Sequence, residues 1–152
     1  MYIDKSMQVK NIMTTDVRFV RPDDTMDKVS DIFNGTFIHH LPVVGEDGKV
    51  KGIISKSDYL RLQHGFTLFK TEKADEYNRA IFRSLLVGEV MTQQVAKLMP
   101  DYTLGYAAGI FRENLFHAMP VVDEHNQMVG ILSTYDLLSY AFSEEMLISC
   151  AV

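Results

Sequence analysis

The sequence predicts an α/β fold made of two pseudo-twofold-related copies of one unit, each reading strand, helix, strand, strand, helix. Three observations lead there. A shift of 78 positions aligns Val9 through Leu60 with Val87 through Leu138 without a gap, and nineteen of the paired residues are identical. Pairing at average composition matches about one position in seventeen, so the chain is a duplication. Within each copy the apolar residues fall first at helical spacing and then in two β-rich runs. Between those runs stands a turn signal, Glu46-Asp47-Gly48-Lys49 in the first copy.

The elements follow in order. Val17-Arg18-Phe19-Val20 alternates and predicts a short leading strand. After Pro22-Asp23-Asp24-Thr25, where Asp24 or Thr25 suits an N-cap, Met26, Val29 and Phe33 mark a helix; Leu104, Ala107, Ala108 and Phe111 answer in the second copy. Leu41-Pro42-Val43-Val44 and Val50-Lys51-Gly52-Ile53-Ile54 form a hairpin. Proline is tolerated at a strand's first residue, and Gly52 marks a place where another group approaches the backbone closely. A second helix starts near Ser55 to Asp58. The organisation is therefore repeat 1 over 1–64, a linker over 65–86 and repeat 2 over 87–152. In the linker, Ala74, Tyr77, Ile81 and Leu85 predict an amphipathic helix over 73–86, preceded by the irregular aromatic stretch Gly65 to Phe69. A unit of about 60 residues buries only about 60% of its unfolded surface, so the copies should pack on each other around two related clefts. The run Leu137-Leu138-Ser139-Tyr140-Ala141-Phe142 is apolar on nearly every side, which predicts cover by a second chain in a homodimer.

Composition narrows the function classes. With 15 Lys+Arg against 20 Asp+Glu the net charge is −5, and no basic run offers a nucleic acid or an anionic membrane a surface. The hydrophobic share of 47% with 23% charged residues is that of a chain with a packed core. The lone cysteine, Cys150, forms no intrachain disulfide and fits a reducing compartment, and no stretch approaches a membrane span or a signal core. A cytoplasmic protein is expected.

The ordered set Val9-Lys10-Asn11-Ile12-Met13-Thr14, Pro22-Asp23-Asp24-Thr25, His39-His40-Leu41-Pro42-Val43-Val44 and Gly52-Ile53-Ile54-Ser55-Lys56-Ser57-Asp58, occurring twice, resembles a tandem CBS-domain pair, named after cystathionine β-synthase. The resemblance covers both aligned copies. It implies an α/β CBS-pair module, dimers of pairs, regulatory binding of adenosine-containing ligands (AMP, ADP, ATP or S-adenosylmethionine) and no catalysis. No cofactor is required under it, and a regulated protein partner is implied.

Residue by residue, the resemblance assigns Asp58 and Asp136 to ribose hydroxyls and Ser55 and Ser133 to the neighbourhood of a phosphate. The chemistry is sound, since an ionised carboxylate accepts from a diol and a hydroxyl at a helix start suits a phosphate. Ser-x-x-Asp is equally close to a helix capping box, which would be duplicated for stability alone. His39 and His117 occupy a position that the family often gives to a basic side chain. Histidine holds only part of a charge near neutral pH, so anionic ligands should bind better toward pH about 6. Asp136, Ser133 and His117 are expected to share a site with Thr14, Asp16, Val17 and Arg18, and Asp58, Ser55 and His39 with Thr92, Gln94, Val95 and Ala96. The first set ranks ahead because Arg18 adds positive charge.

Two other classes stay in view: a structural dimerisation module with empty clefts, and a metal-dependent hydrolase. Gly45-Glu46-Asp47-Gly48-Lys49 is too short for a phosphate loop and reads as a turn. The five histidines include no HExxH pattern, and Cys150 lies outside any nucleophile motif, so neither catalytic nor metal residues are expected.

Overall fold

The structure, a computed structural model, describes residues 3–65 and 73–142. The stretch Phe66 to Phe69, the residues beyond Phe142 and Cys150 lie outside the described residues. The chain forms two compact units, one of Arg18–Val95 and one of Met1–Val17 with Ala96–Val152.

In the unit of residues 18–95, helix α1 (Met26–Gly35) buries Met26, Val29 and Phe33, the stripe that its spacing predicts. Thr25 precedes it in extended backbone and turns its hydroxyl to the Asp27 carboxylate. Asp24 accepts the Arg21 N–H at 2.7 Å and the Lys28 ammonium at 2.8 Å, so it closes the turn at Pro22 rather than the helix. Strands β1 (His40–Val44) and β2 (Val50–Ser55) pair antiparallel, with Leu41 opposite Ile54, Pro42 opposite Ile53 and Val43 opposite Gly52. Gly48 takes φ 75° in the connecting turn, which glycine adopts without a Cβ penalty.

Helix α2 (Lys56–Gly65) buries one residue fully, Tyr59. Its ring lies 5.7 Å from that of Phe33 and 5.6 Å from that of Phe82, and its hydroxyl shares a 2.9 Å hydrogen bond with Ser30 Oγ. Helix α3 (Ala74–Ser84) forms where the amphipathic pattern predicts it, but its face is rotated: Asn78 and Phe82 are buried and Tyr77 is exposed. Phe82, Ile81 and Leu85 join the core, which leaves Tyr77 on the far side. A short helix α4 (Val87–Val90), not anticipated from the pattern, ends this run.

The other unit repeats the plan. Helix α5 (Leu104–Asn114) buries Leu104, Ala107 and Phe111, and Thr103 caps it by accepting the Tyr106 N–H at 3.2 Å. Strands β3 (Ala118–Val122) and β4 (Met128–Ser133) pair in the register of β1 and β2, with Val121 opposite Gly130. Asn126 holds the turn at φ 61° where the first copy has Gly48. Helix α6 (Thr134–Phe142) buries no residue fully; Leu137 and Tyr140 pack on the core, and Tyr135, Leu138 and Phe142 are exposed. A turn of 3-10 helix over Val9–Asn11 contributes Val9 to the same core.

The predicted leading strand is reduced in each copy to one bridged residue. Val20 lies parallel to β1, donating to the Pro42 carbonyl at 3.1 Å and accepting the Val44 N–H at 2.8 Å. The next rung toward the N-terminus needs an N–H at residue 42, and proline has none. Leu98 bridges Val121 and stops against Pro120 for the same reason. The prolines thus stand third in β1 and β3 rather than first, on the strand edge where a missing donor ends the sheet.

Each unit also takes in the segment that leads into the opposite copy. Val87 donates to the Asp24 carbonyl at 2.8 Å, Gly88 to Pro22 at 2.8 Å, and Met26 to Leu85 at 2.9 Å. The equivalent bonds in the other unit run from Val9 to Tyr102 at 2.8 Å, Lys10 to Pro100 at 3.0 Å and Leu104 to Met7 at 2.8 Å. Same bonds, same offset: the units are two instances of one structure.

Candidate functional site

The second strand of each hairpin ends at the Ser-x-x-Asp turn, and its outer edge receives the Met-Thr of the opposite copy. Ile53 and Thr92 exchange backbone hydrogen bonds, both 3.0 Å; Thr14 and Ile131 do so at 2.9 and 3.0 Å. The glycine before each isoleucine makes room. A Cβ on Gly52 would stand 2.8 Å from the Thr92 carbonyl oxygen and 2.6 Å from Met91 Sδ. On Gly130 it would meet Met13 Sδ at 2.7 Å and the Thr14 oxygen at 3.0 Å. The close approach predicted at Gly52 is therefore made by the other copy's Met-Thr pair.

The capping box is real in both copies. Asp58 Oδ2 accepts from Ser55 Oγ at 2.6 Å and from the Ser55 N–H at 3.3 Å, while the Asp58 N–H donates to Ser55 Oγ at 3.1 Å. Asp136 and Ser133 repeat this at 2.6, 2.7 and 3.2 Å. Such a box closes a helix start and contributes about 1 kcal/mol. It also commits Oδ2 of each carboxylate to the turn and leaves Oδ1 out of the turn's own bonds. In Asp58 that oxygen lies 3.6 Å from Arg61 Nη1.

An open pocket of about 430 Å³ is lined by Asp58, Arg61, Leu62, Gly65, Val90 and Thr92. Its walls come from both copies, since 58–65 belong to the first and Val90 and Thr92 to the second. This pocket lies within the unit of Asp58.

The other expected residues fall as follows. Ser55, His39, Thr92, Gln94 and Val95 share the unit of Asp58, and Arg18 belongs there too; Ser133, His117, Thr14, Asp16 and Val17 share the unit of Asp136, together with Ala96. Arg18 and Ala96 stand at the boundary between the units, Arg18 opening that of Asp58 and Ala96 the second stretch of that of Asp136. The His39 carbonyl accepts the Lys56 N–H at 2.8 Å and the His117 carbonyl the Thr134 N–H at 3.0 Å, so both histidines are anchored at the start of the motif helix with exposed side chains. Thr14, Asp16, Arg18, Thr92 and Gln94 are exposed, and Val17, Val95 and Ala96 half-buried. Sequence reasoning missed Arg61, Leu62 and Val90. Arg61 was detectable, because i, i+3 spacing on a helix puts it beside Asp58.

Among the described residues no group of three or more His, Cys, Asp or Glu side chains could hold a metal ion, and no helix is long and apolar enough to cross a membrane.

An uncharacterized protein of Methanocaldococcus jannaschii is 30% identical over 151 residues, covering 87% of this chain and 89% of that protein. Among solved structures, CBSX2 of Arabidopsis thaliana in complex with AMP superposes with a TM-score of 0.73 at 23% identity, over 91% of this chain and 98% of that one. The CBS domain pair of protein MJ0100, in complex with 5′-methylthioadenosine and S-adenosyl-L-methionine, gives a TM-score of 0.70 at 23% identity, again over 91% and 98%. Residues 9–65 and 87–143 each match the CBS domain family. The chain belongs to that family, with one CBS repeat in each half of the duplication.

Proposed function

We propose that the chain is a non-catalytic regulatory module that binds an adenosine-containing ligand and passes its occupancy to a protein partner. The observation that carries this reading is the pocket at Asp58, where a carboxylate fixed by Ser55 faces an open space beside Thr92 of the other copy. A vicinal diol donates to such a carboxylate, and the volume falls in the range of about 300–1,000 Å³ that small-ligand sites occupy. The AMP, methylthioadenosine and S-adenosylmethionine complexes of similarly folded CBS pairs support the same ligand class. Because the pocket takes its walls from helix α2 and from the second copy's leading segment at Val90 and Thr92, a bound ligand biases how that segment sits on α2, which is the means by which occupancy becomes a signal. The module works in the cytoplasm on this reading, and the exposed Tyr135, Leu138 and Phe142 of α6 support pairing with a second copy.

The test is a thermal-shift and calorimetric screen with AMP, ADP, ATP, S-adenosylmethionine and NAD. A ligand at a hundred times its Kd adds about 2.7 kcal/mol, which raises Tm by about 5–10 °C at this size. Asp58→Ala with Asp136→Ala should abolish the shift. No shift with any of the five, or a shift that the double variant retains, leaves the aspartates a capping role only.

A further inference from the structure

The two Ser-x-x-Asp turns are built alike, but their aspartates meet different charges. Arg61 follows Asp58 by one turn of α2, with Nη1 3.6 Å from Oδ1, and both line the pocket with Thr92. The residue aligned with Arg61 in the second copy is Ser139 on α6, and among the described residues Asp136 enters no ion pair. A carboxylate without a cation accepts hydroxyls but repels a phosphate. A carboxylate beside a guanidinium accepts hydroxyls and offers the phosphate a bidentate donor. The Arg61 side chain is 79% exposed, and an ion pair so exposed holds it weakly, so it is available to a ligand.

We propose that Arg61 gives the Asp58 pocket a preference for a phosphate-bearing adenosyl ligand of the nucleoside monophosphate class, a preference that the Asp136 set, with Ser139 at the aligned position, does not share. This rests on the adenosyl-binding reading above.

Calorimetry with AMP and adenosine in two backgrounds tests it: Asp136→Ala isolates the Asp58 pocket, and Asp58→Ala isolates the other set. The first background should prefer AMP over adenosine by about tenfold or more, and the second should show no such preference. Adding Arg61→Ala to the first should weaken AMP by about ten- to a hundredfold, the effect of losing a charge-assisted hydrogen bond, and move adenosine by less than about threefold. Arg61→Lys should keep part of the preference, and Ser139→Arg in the second background should create one. Equal losses for AMP and adenosine would reduce Arg61 to holding Asp58 in place and overturn the proposal. So would adenosine binding in the first background with no preference for AMP. If the unsubstituted protein binds neither compound, the adenosyl reading itself falls and this assignment with it.

Discussion

Replacing Gly52 by alanine tests whether the second copy's leading segment is held to β2 through backbone rather than through pliable side chains. The added Cβ would lie 2.6 and 2.8 Å from Met91 Sδ and Cγ and 2.8 Å from the Thr92 carbonyl oxygen. The thioether can swing aside. The oxygen cannot, because it accepts the Ile53 N–H at 3.0 Å and its residue donates back to Ile53 at 3.0 Å. Relief therefore requires opening that bridge. Overpacking costs about 1–3 kcal/mol and a lost hydrogen bond about 0.5–1.5, so a loss of about 2–4 kcal/mol is expected. At this chain length that lowers Tm by about 4–16 °C, read by circular dichroism melts and urea unfolding. Gly109→Ala is the matched control: it sits in α5 with nothing within 4 Å of an added Cβ, so it should stabilise by about 0.5–1 kcal/mol. Met91→Ala in the Gly52→Ala background removes the sulfur contacts but not the carbonyl, and should restore only part of the loss. Wild-type stability for Gly52→Ala, or full restoration by the second substitution, would refute the reasoning.

Tyr59 is the only residue α2 buries fully, so Tyr59→Ala should cost about 3–5 kcal/mol in urea unfolding, and Tyr59→Phe, which loses only the Ser30 hydrogen bond, about 1 kcal/mol; similar costs for the two would mean the ring packing is not what docks the helix. Partial burial pushes the Asp24 carboxyl up, but the Lys28 ammonium, the Arg21 N–H and the charges of both residues outweigh it and hold the group below the usual carboxylate range. A lowered folded value gives stability that is present above the unfolded value of about 3.9 and lost as pH falls through the folded one. Asp24→Asn should thus be less stable than the parent at pH 7, with the gap closing below about pH 4; a gap that is the same at pH 3 as at pH 7 would show that no ionised Asp24 stabilises the fold.

Much of this was legible in the sequence, for identifiable reasons. The duplication, both first helices, both hairpins and the start of each second helix are encoded by local periodicity and turn residues, which one strand of text carries completely. What the text left out depends on groups distant in sequence. The rotation of α3 follows from Phe82 seeking Tyr59, a pairing across 23 positions that the spacing of Ala74, Tyr77, Ile81 and Leu85 does not reveal. The shortness of the leading strands follows from a donor missing on a different strand. The pocket's cation, Arg61, is set by the helix that carries Asp58, whereas the sequence draws its positive charge from Arg18 in the strand-entry segment.

Proline and glycine, which punctuate local structure, here set the two edges of a sheet. Pro42 withholds a donor on one side of the β1–β2 hairpin, so the chain that pairs there lets go after a single residue, Val20. Gly52 withholds a Cβ on the other side, so the second copy's Thr92 can approach and bond to Ile53. That bridge sits two residues before Ser55, and the Ser55 hydroxyl aims Asp58. Thr92 and Asp58 therefore meet at one pocket because the strand between them is short and rigid, and a substitution that moves the bridge moves the pocket wall with it. A stability defect in Gly52→Ala should accordingly be accompanied by weaker ligand binding even though Gly52 does not line the pocket, whereas Tyr59→Phe, which leaves the bridge intact, should lose stability without losing affinity.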